Sequence, residues 1–269
     1  MKKIFWILII ASLAPVYGST PAHENSILEK VGFTQNLDAQ VPLDLLFRDE
    51  TGRAVPLSNY FGKRPVLLNL VYFKCPMLCT EVLNGTVRTL RAMPLSIGKD
   101  FNVVTVSFDP RETSAMAAAK KSVYLDRYGR QGSQKGWAFL TGPESSIQAL
   151  AAAVGFRYSY DKELDQFAHA SGIVILTPDG HVAHYFFGVE YPVQDVRLSL
   201  VAASSGKIGS PIEQLLLYCY HYDPTSGRYG VAIMRVMRLA GLATFLLLVT
   251  FVITMLLVER AHRPSSGKA

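Results

Sequence analysis

Cys75 and Cys79 stand four positions apart in the segment Lys74-Cys75-Pro76-Met77-Leu78-Cys79. A C-x3-C pair supports three kinds of chemistry. It can be a plain disulfide, a dithiol that exchanges with other disulfides, or part of a soft-metal site. His169, in Ala168-His169-Ala170-Ser171-Gly172, is the histidine that can join the two sulfurs, and Asp109 is the carboxylate expected beside them. Two thiolates and an imidazole form a soft, low-coordinate donor set, which suits copper and Cu(I) in particular. Zinc asks for a fourth ligand or an open catalytic position, and the sequence offers no obvious fourth residue.

These side chains need elements that converge them. Val66 to Phe73 is almost continuously apolar, the pattern of a strand buried on both faces. Cys75 follows its end. Met77 to Met93 is expected to be a helix, with Leu78, Val82, Val87 and Leu90 near one face and Pro76 as an early helical residue. Cys75 then sits at the strand end and Cys79 one turn into the helix, with both sulfurs over the helix N-terminus. The partial positive charge there favours thiolate, and Lys74 adds to it. Phe101 to Phe108 is the next strand, halted by Asp109-Pro110, so Asp109 is expected on the same sheet edge. His169 precedes a strand at Ile173 to Leu176 and reaches this region if the loop before it folds over the edge.

The other expected elements are strands at Val41 to Phe47, Val55 to Leu57 and Trp137 to Leu140, and helices at Thr113 to Tyr128 and Ser145 to Val154. A hairpin follows from Ile173 to Leu176, through Thr177-Pro178-Asp179-Gly180, to Val182 to Phe187, then a last helix from Val193 to Ala203. The alternation β-α-β-α-β-α-β-β-α predicts an α/β fold with a mainly parallel central sheet. The closing hairpin and helix narrow it to a thioredoxin-like central sheet with flanking helices.

The 269-residue chain carries a net charge of +6, partly from its two ends. With no long basic run and no helix-turn-helix or RNA-binding signature, nucleic acid is not an expected partner. Residues 1–18 read as a signal peptide, with Lys2 and Lys3 before a short apolar run and Gly18 at the cleavage position; an uncleaved anchor is the alternative. Leu239 to Val258 is uncharged and matches the roughly 20 residues that a transmembrane helix needs. The expected organisation is a signal peptide (1–18), an extended lead-in (19–40), one domain (41–210), a juxtamembrane connector (211–238), a span (239–258) and a cytoplasmic tail (259–269). Arg260, Arg263 and Lys268 suit the cytoplasmic side, although Arg235 and Arg238 flank the other end. The main domain is thus expected on the outer, periplasmic side of a bacterial inner membrane.

Two further groups are weighed. His181 and His184 form H-x2-H, but residues three apart on a strand face opposite ways, so they are read as ordinary surface histidines. Cys219 and His221 lie in an aromatic cluster before the span. They are read as interfacial residues, with an accessory copper site or an intermolecular disulfide as alternatives.

Three separated segments carry a family resemblance. Leu70 to Cys79 (LVYFKCPMLC), Val106 to Thr113 (VSFDPRET) and Ala168 to Gly172 (AHASG), followed by the Thr-Pro-Asp-Gly turn, resemble the Sco/SenC family in the family's order. The resemblance covers most of residues 40 to 205. It implies a thioredoxin-like fold, copper held by Cys75, Cys79 and His169, and Asp109 as a neighbouring residue that assists transfer. It also implies a part in assembling the CuA centre of cytochrome c oxidase, as copper chaperone, thiol-disulfide reductant or both. The expected partners are the oxidase subunit carrying CuA, other copper chaperones or thioredoxin-like reductants. Familiar members are often anchored by an N-terminal helix, whereas this chain resembles a subgroup with a cleavable signal and a C-terminal span. The rival reading is a thiol-disulfide oxidoreductase using Cys75 and Cys79 as its redox pair.

Overall fold

The computed structural model describes residues 31–75, 77–208, 222–223, 228–229 and 231–261. The strands are β1 (Gly32–Phe33), β2 (Leu46–Arg48), β3 (Ala54–Pro56), β4 (Val66–Val71), β5 (Asn102–Ser107), β6 (Trp137–Leu140), β7 (Phe156–Asp161), β8 (Gln166–His169), β9 (Gly172–Leu176), β10 (Val182–Phe187), β11 (Tyr222–Asp223) and β12 (Arg228–Tyr229). The helices are α1 (Leu78–Ala92), α2 (Ser114–Tyr128), α3 (Glu144–Ala153), α4 (Val193–Ser204) and α5 (Val231–Ala261).

The central sheet has the order β10-β9-β4-β5-β6. β4 lies in its middle, pairing parallel to β5 and antiparallel to β9, and all of its residues are buried. An apolar run is what such a position demands, because neither face meets water. Its one polar residue, Asn69, is satisfied inside. Asn69 Nδ2 and Trp137 Nε1 both donate to Thr105 Oγ1, and Thr86 Oγ1 donates to Asn69 Oδ1. That network ties β4, β5, β6 and α1 together in the core.

α1 buries Cys79, Val82, Leu83, Val87 and Leu90, positions that recur every three or four residues. Leu78, expected on that face, points outward, and Cys79 takes the inward place at the start of the helix. α2 ends as expected: Gly129 has φ +71° and its N–H donates to Leu125 O.

The sheet is less parallel than the alternation predicts. β4, β5 and β6 run parallel, but β9 and β10 are both attached by antiparallel pairing. The reason lies between α3 and β9. The chain makes an antiparallel hairpin, β7–β8, which with β1 forms a separate three-stranded sheet ordered β1-β7-β8. The loop expected before His169 is instead this pair of strands. Phe156, Tyr158 and Tyr160 alternate with polar residues, the period of a half-buried strand.

The strand expected over Val41 to Phe47 shrinks to β2. Pro42 has no N–H to give a ladder, and residues 40–41 instead dock on the β9–β10 turn. Gln40 bridges His181, and Val41 N–H donates to Gly180 O. β2 pairs with β3 as a hairpin against the end of β6.

α5 has 31 residues, about 46 Å at 1.5 Å per residue. It starts inside the expected connector. Its stretch Gly241–Val258 is long and apolar enough to cross a membrane, and it is not buried within the chain.

Gly85 of α1 lies against the backbone of Val189. A Cβ there would fall 1.8 Å from Val189 O. Gly85→Ala is expected to destabilise the domain by about 3 kcal/mol, at the upper end of overpacking penalties, read as a lowered urea midpoint with unchanged slope.

Candidate metal centre

The site forms where β4 runs out and α1 begins. Tyr72 and Phe73 remain buried, and Cys75 N–H turns back to Tyr72 O at 3.3 Å. The turn rests on Glu112. Its carboxylate accepts Phe73 N–H at 2.6 Å, Lys74 N–H at 2.7 Å and the Ser107 hydroxyl at 2.6 Å. One buried side chain from the loop after β5 thus holds the backbone that presents Cys75.

The first turn of α1 supplies N–H groups with no partner inside the helix. Cys79 N–H donates to Cys75 Sγ at 3.3 Å, and Tyr72 N–H donates to Cys79 Sγ at 3.3 Å. Both sulfurs therefore sit over the helix N-terminus, as strand-then-helix geometry predicts. His169, the last residue of β8, brings its Nε2 to 3.2 Å from Cys79 Sγ. Its Nδ1 lies 2.9 Å from Ala170 O. A carbonyl oxygen only accepts, so Nδ1 carries the proton and Nε2 presents a lone pair to the sulfurs.

The ligating atoms of Cys75, Cys79 and His169 all lie within 4.8 Å of one another. A trigonal ion with bonds of about 2.0–2.3 Å needs donors about 3.5–4 Å apart, so the three fit one soft ion with small adjustments. Among the described residues, no other group of three His, Cys, Asp or Glu donors converges in this way.

The two cysteines are electrostatically unlike. Cys75 is lowered to about 4, first by the hydrogen bond from the Cys79 thiol, then by the N–H groups of Cys79 and Met77 and by the Tyr72 hydroxyl, against the effect of burial. Cys79 is pushed up, first by burial and then by Cys75 beside it. The reduced pair is therefore one thiolate and one thiol. The thiol proton of Cys79 faces two acceptors, the Cys75 thiolate and His169 Nε2. A soft cation can take the place of that shared proton.

The imidazole stands among aromatic rings. His169 packs edge-on to Tyr72 at 5.9 Å and to Phe108 at 5.2 Å between ring centroids. Phe108 also meets Phe156, Tyr158 and Phe167 of the β7–β8 hairpin. This apolar floor seats the hairpin and brings His169 to the sulfurs, where the sequence required only that the preceding chain fold over the sheet edge.

Asp109 lies at the end of β5 on that edge and is buried, but outside the three-atom cluster. Its carboxylate accepts two N–H groups of the Arg111 guanidinium, at 2.8 Å each, and the Arg111 backbone N–H at 2.9 Å. Lys74 is exposed. His181 bonds Asp38 at 3.0 Å, and His184 lies against Phe186 with 4.5 Å between ring centroids, so the two do not converge. Cys219 and His221 fall outside the described residues, as does the proposed signal peptide. Sequence reasoning missed Glu112 and the Tyr72 hydroxyl. Glu112 stands in the Val106 to Thr113 segment, but the backbone N–H groups it holds, those of Phe73 and Lys74, are nearly forty residues away, and no local pattern reports them.

Fold and site together define a thioredoxin-like domain with a cysteine-cysteine-histidine cluster at the N-terminus of the helix that follows its central strand. The model of the SCO1/SenC family matches residues 35–198, and the chain belongs to that family. Among solved structures, it is similar to a candidate electron transfer protein from Aquifex aeolicus VF5, with 26% identity, a TM-score of 0.56, and 64% of this chain and 96% of that chain covered. It shares its fold with BsSco, a member of the Sco family of cytochrome c oxidase assembly proteins in which a disulfide switch is identified: 23% identity, TM-score 0.51, 65% and 99% covered. It also shares it with a SCO1/SenC family lipoprotein from Bacillus anthracis str. Ames, at 13% identity, TM-score 0.51, with 63% and 98% covered. No curated protein matches the chain significantly in sequence.

Two outcomes are expected. In the reduced protein, Cys75 reacts with iodoacetamide before Cys79. Its rate stays flat from pH 8 down to pH 6, because thiolate is lost only near its pKa of about 4; mass mapping of the alkylated peptide across pH checks this. Glu112→Ala orphans the N–H groups of Phe73 and Lys74 and is expected to cost about 2–4 kcal/mol, measured by urea unfolding of the reduced protein.

Proposed function

We propose that this chain is a membrane-anchored copper-binding protein that carries the metal as cargo between Cys75, Cys79 and His169. The observation that carries this reading is the convergence of two sulfurs and one correctly protonated imidazole within a single ion's reach. The donor set is soft, and soft thiolate ligands select Cu(I). Membership of a family whose member BsSco is an oxidase assembly protein supports delivery to the CuA centre of cytochrome c oxidase. The recipient would be the oxidase subunit carrying CuA, with other copper chaperones or thioredoxin-like reductants supplying metal or electrons. Ligand exchange, thiolate by thiolate, moves the ion. Oxidation of Cys75 and Cys79 to a disulfide, with a partner disulfide as the two-electron acceptor, takes both sulfurs from the metal and ends binding. Asp109 acts as an accessory residue, without ligating the metal.

The proposed organisation keeps a signal peptide at 1–18, a lead-in at 19–40, a copper domain at 41–210, a connector at 211–238, a span at 239–258 and a cytoplasmic tail at 259–269. The span supports anchoring in a bacterial inner membrane, with the copper domain on the periplasmic side.

A second reading draws on the unlike cysteines. In a thiol-disulfide oxidoreductase, the Cys75 thiolate attacks a partner disulfide and releases one partner thiolate. Cys79 then gives its proton to the partner thiolate just released and attacks the mixed disulfide, releasing the second partner thiolate and leaving Cys75–Cys79 oxidised.

The reduced wild-type protein is expected to bind one equivalent of Cu(I) in competition with a chromogenic chelator. His169→Ala should weaken that binding at least about tenfold, and Cys75→Ser or Cys79→Ser should abolish the site. Affinity unmoved by His169→Ala, together with rapid reduction of a partner disulfide, would sink the chaperone reading in favour of the reductase.

A further inference from the structure

We propose that Arg111 is a positioning residue for His169: it latches the β7–β8 hairpin to the edge of the central sheet and so sets how long the histidine stays with the two cysteines. The proposal rests on the reading of Cys75, Cys79 and His169 as the ligand set.

His169 belongs to β8, and among the described residues β8 pairs only with β7. The hairpin is therefore not carried by the ladder of the central sheet. Its base is seated by ring contacts with Phe108 and Tyr72. Its far end is held by Arg111. One side of the guanidinium grips Asp109, with Nε and one terminal nitrogen each at 2.8 Å from the carboxylate. The other terminal nitrogen reaches Asp165 Oδ1 at 2.9 Å and the Tyr160 hydroxyl at 3.3 Å. The same group lies over the rings of Tyr160 and Phe167, 5.0 and 5.5 Å from their centroids. Tyr160 and Phe167 are opposite one another across the hairpin. A planar fork can bridge two carboxylates and cover two rings at once, which an ammonium cannot.

The two ends of this bridge differ in strength. The Asp109 side chain is 3% exposed at a strand end, whereas that of Asp165 is 75% exposed on the hairpin turn. Arg111 stays with Asp109, and the Asp165 side yields first because water and salt screen an exposed ion pair. When it yields, the far end of the hairpin is free, and the hairpin is held at its base by the ring contacts, the Phe167 backbone on the Tyr72 hydroxyl and the short pairing of β7 with β1. His169 then leaves the sulfurs more often, and a two-thiolate site opens to an incoming ligand. Asp109 acts on the metal through this latch.

The test uses the reduced full-length protein in detergent, loaded with one Cu(I), and follows release to excess chelator as sodium sulfate rises from about 0.02 to about 0.5 M. Wild-type release is expected to accelerate with salt. Arg111→Met keeps the stem but lacks the fork; it should release about three- to tenfold faster at low salt, with the salt dependence lost. Asp165→Asn should fall between, and Arg111→Lys should recover part of the salt dependence. Hydrogen exchange of the metal-free protein gives a second readout: Arg111→Met should speed exchange of the Phe167 and His169 amides about as much, leaving β4 and β5 protected. Wild-type release and wild-type exchange in Arg111→Met would overturn the latch. Failure of the wild type to bind Cu(I) would overturn the ligand reading instead, and the exchange measurement, needing no metal, tells the two apart.

Discussion

The cysteine-cysteine-histidine cluster depends on one buried carboxylate. Where β4 leaves the sheet, the backbone N–H groups of Phe73 and Lys74 lose their ladder partners yet stay largely shielded from water. Glu112 accepts both, and the Ser107 hydroxyl as well. Unpaired buried N–H groups are costly, so this contact fixes the turn and, through it, the placing of Cys75 over α1. Everything downstream inherits that placement: Cys79 N–H meets Cys75 Sγ, and the helix terminus polarises the sulfur.

A second consequence concerns the proton. The pair is asymmetric because Cys75 takes hydrogen bonds from several donors while Cys79 lies deeper and donates. His169, made a lone-pair donor by the carbonyl of Ala170, completes a pocket with two acceptors around one proton. Such a pocket suits either a soft cation or a sulfur exchange, since both begin at the Cys75 thiolate. The histidine distinguishes them, because a redox pair needs no third donor. His169 is also the member of the cluster whose position is least secured by the central sheet.

Much of this was legible before any coordinates. The unbroken apolar run of β4 announced a strand buried on both faces, and the 3.6-residue pattern after it announced α1. Together they put Cys75 and Cys79 at one helix N-terminus. The Thr-Pro-Asp-Gly turn marked β9–β10, and the closing hairpin and helix pointed to a thioredoxin-like fold. The β7–β8 hairpin leaves only a weak trace in the sequence, the alternation of Phe156, Tyr158 and Tyr160, because its strands form a small separate, half-exposed sheet without a continuous apolar run. Val41 to Phe47 alternates like a strand but forms one only from Leu46, because Pro42 denies a ladder.

The sequence by itself determined what obeys local periodicity: the central strands, the helices, the apolar stretch of α5 and the spacing that makes two sulfurs neighbours. Tertiary structure alone decided what depends on residues far apart in the chain meeting. Glu112 reaches Phe73 across 39 positions, and His169 reaches Cys79 across 90. The physical reason is that hydrogen bonds and ring packing act over a few ångströms in space and leave no period in the sequence. The two sulfurs were therefore readable from their own neighbourhood and His169 from its short motif, whereas the contacts that bring the histidine to the sulfurs, its tautomer and the Arg111 bridge that holds its hairpin are decided only by the folded chain.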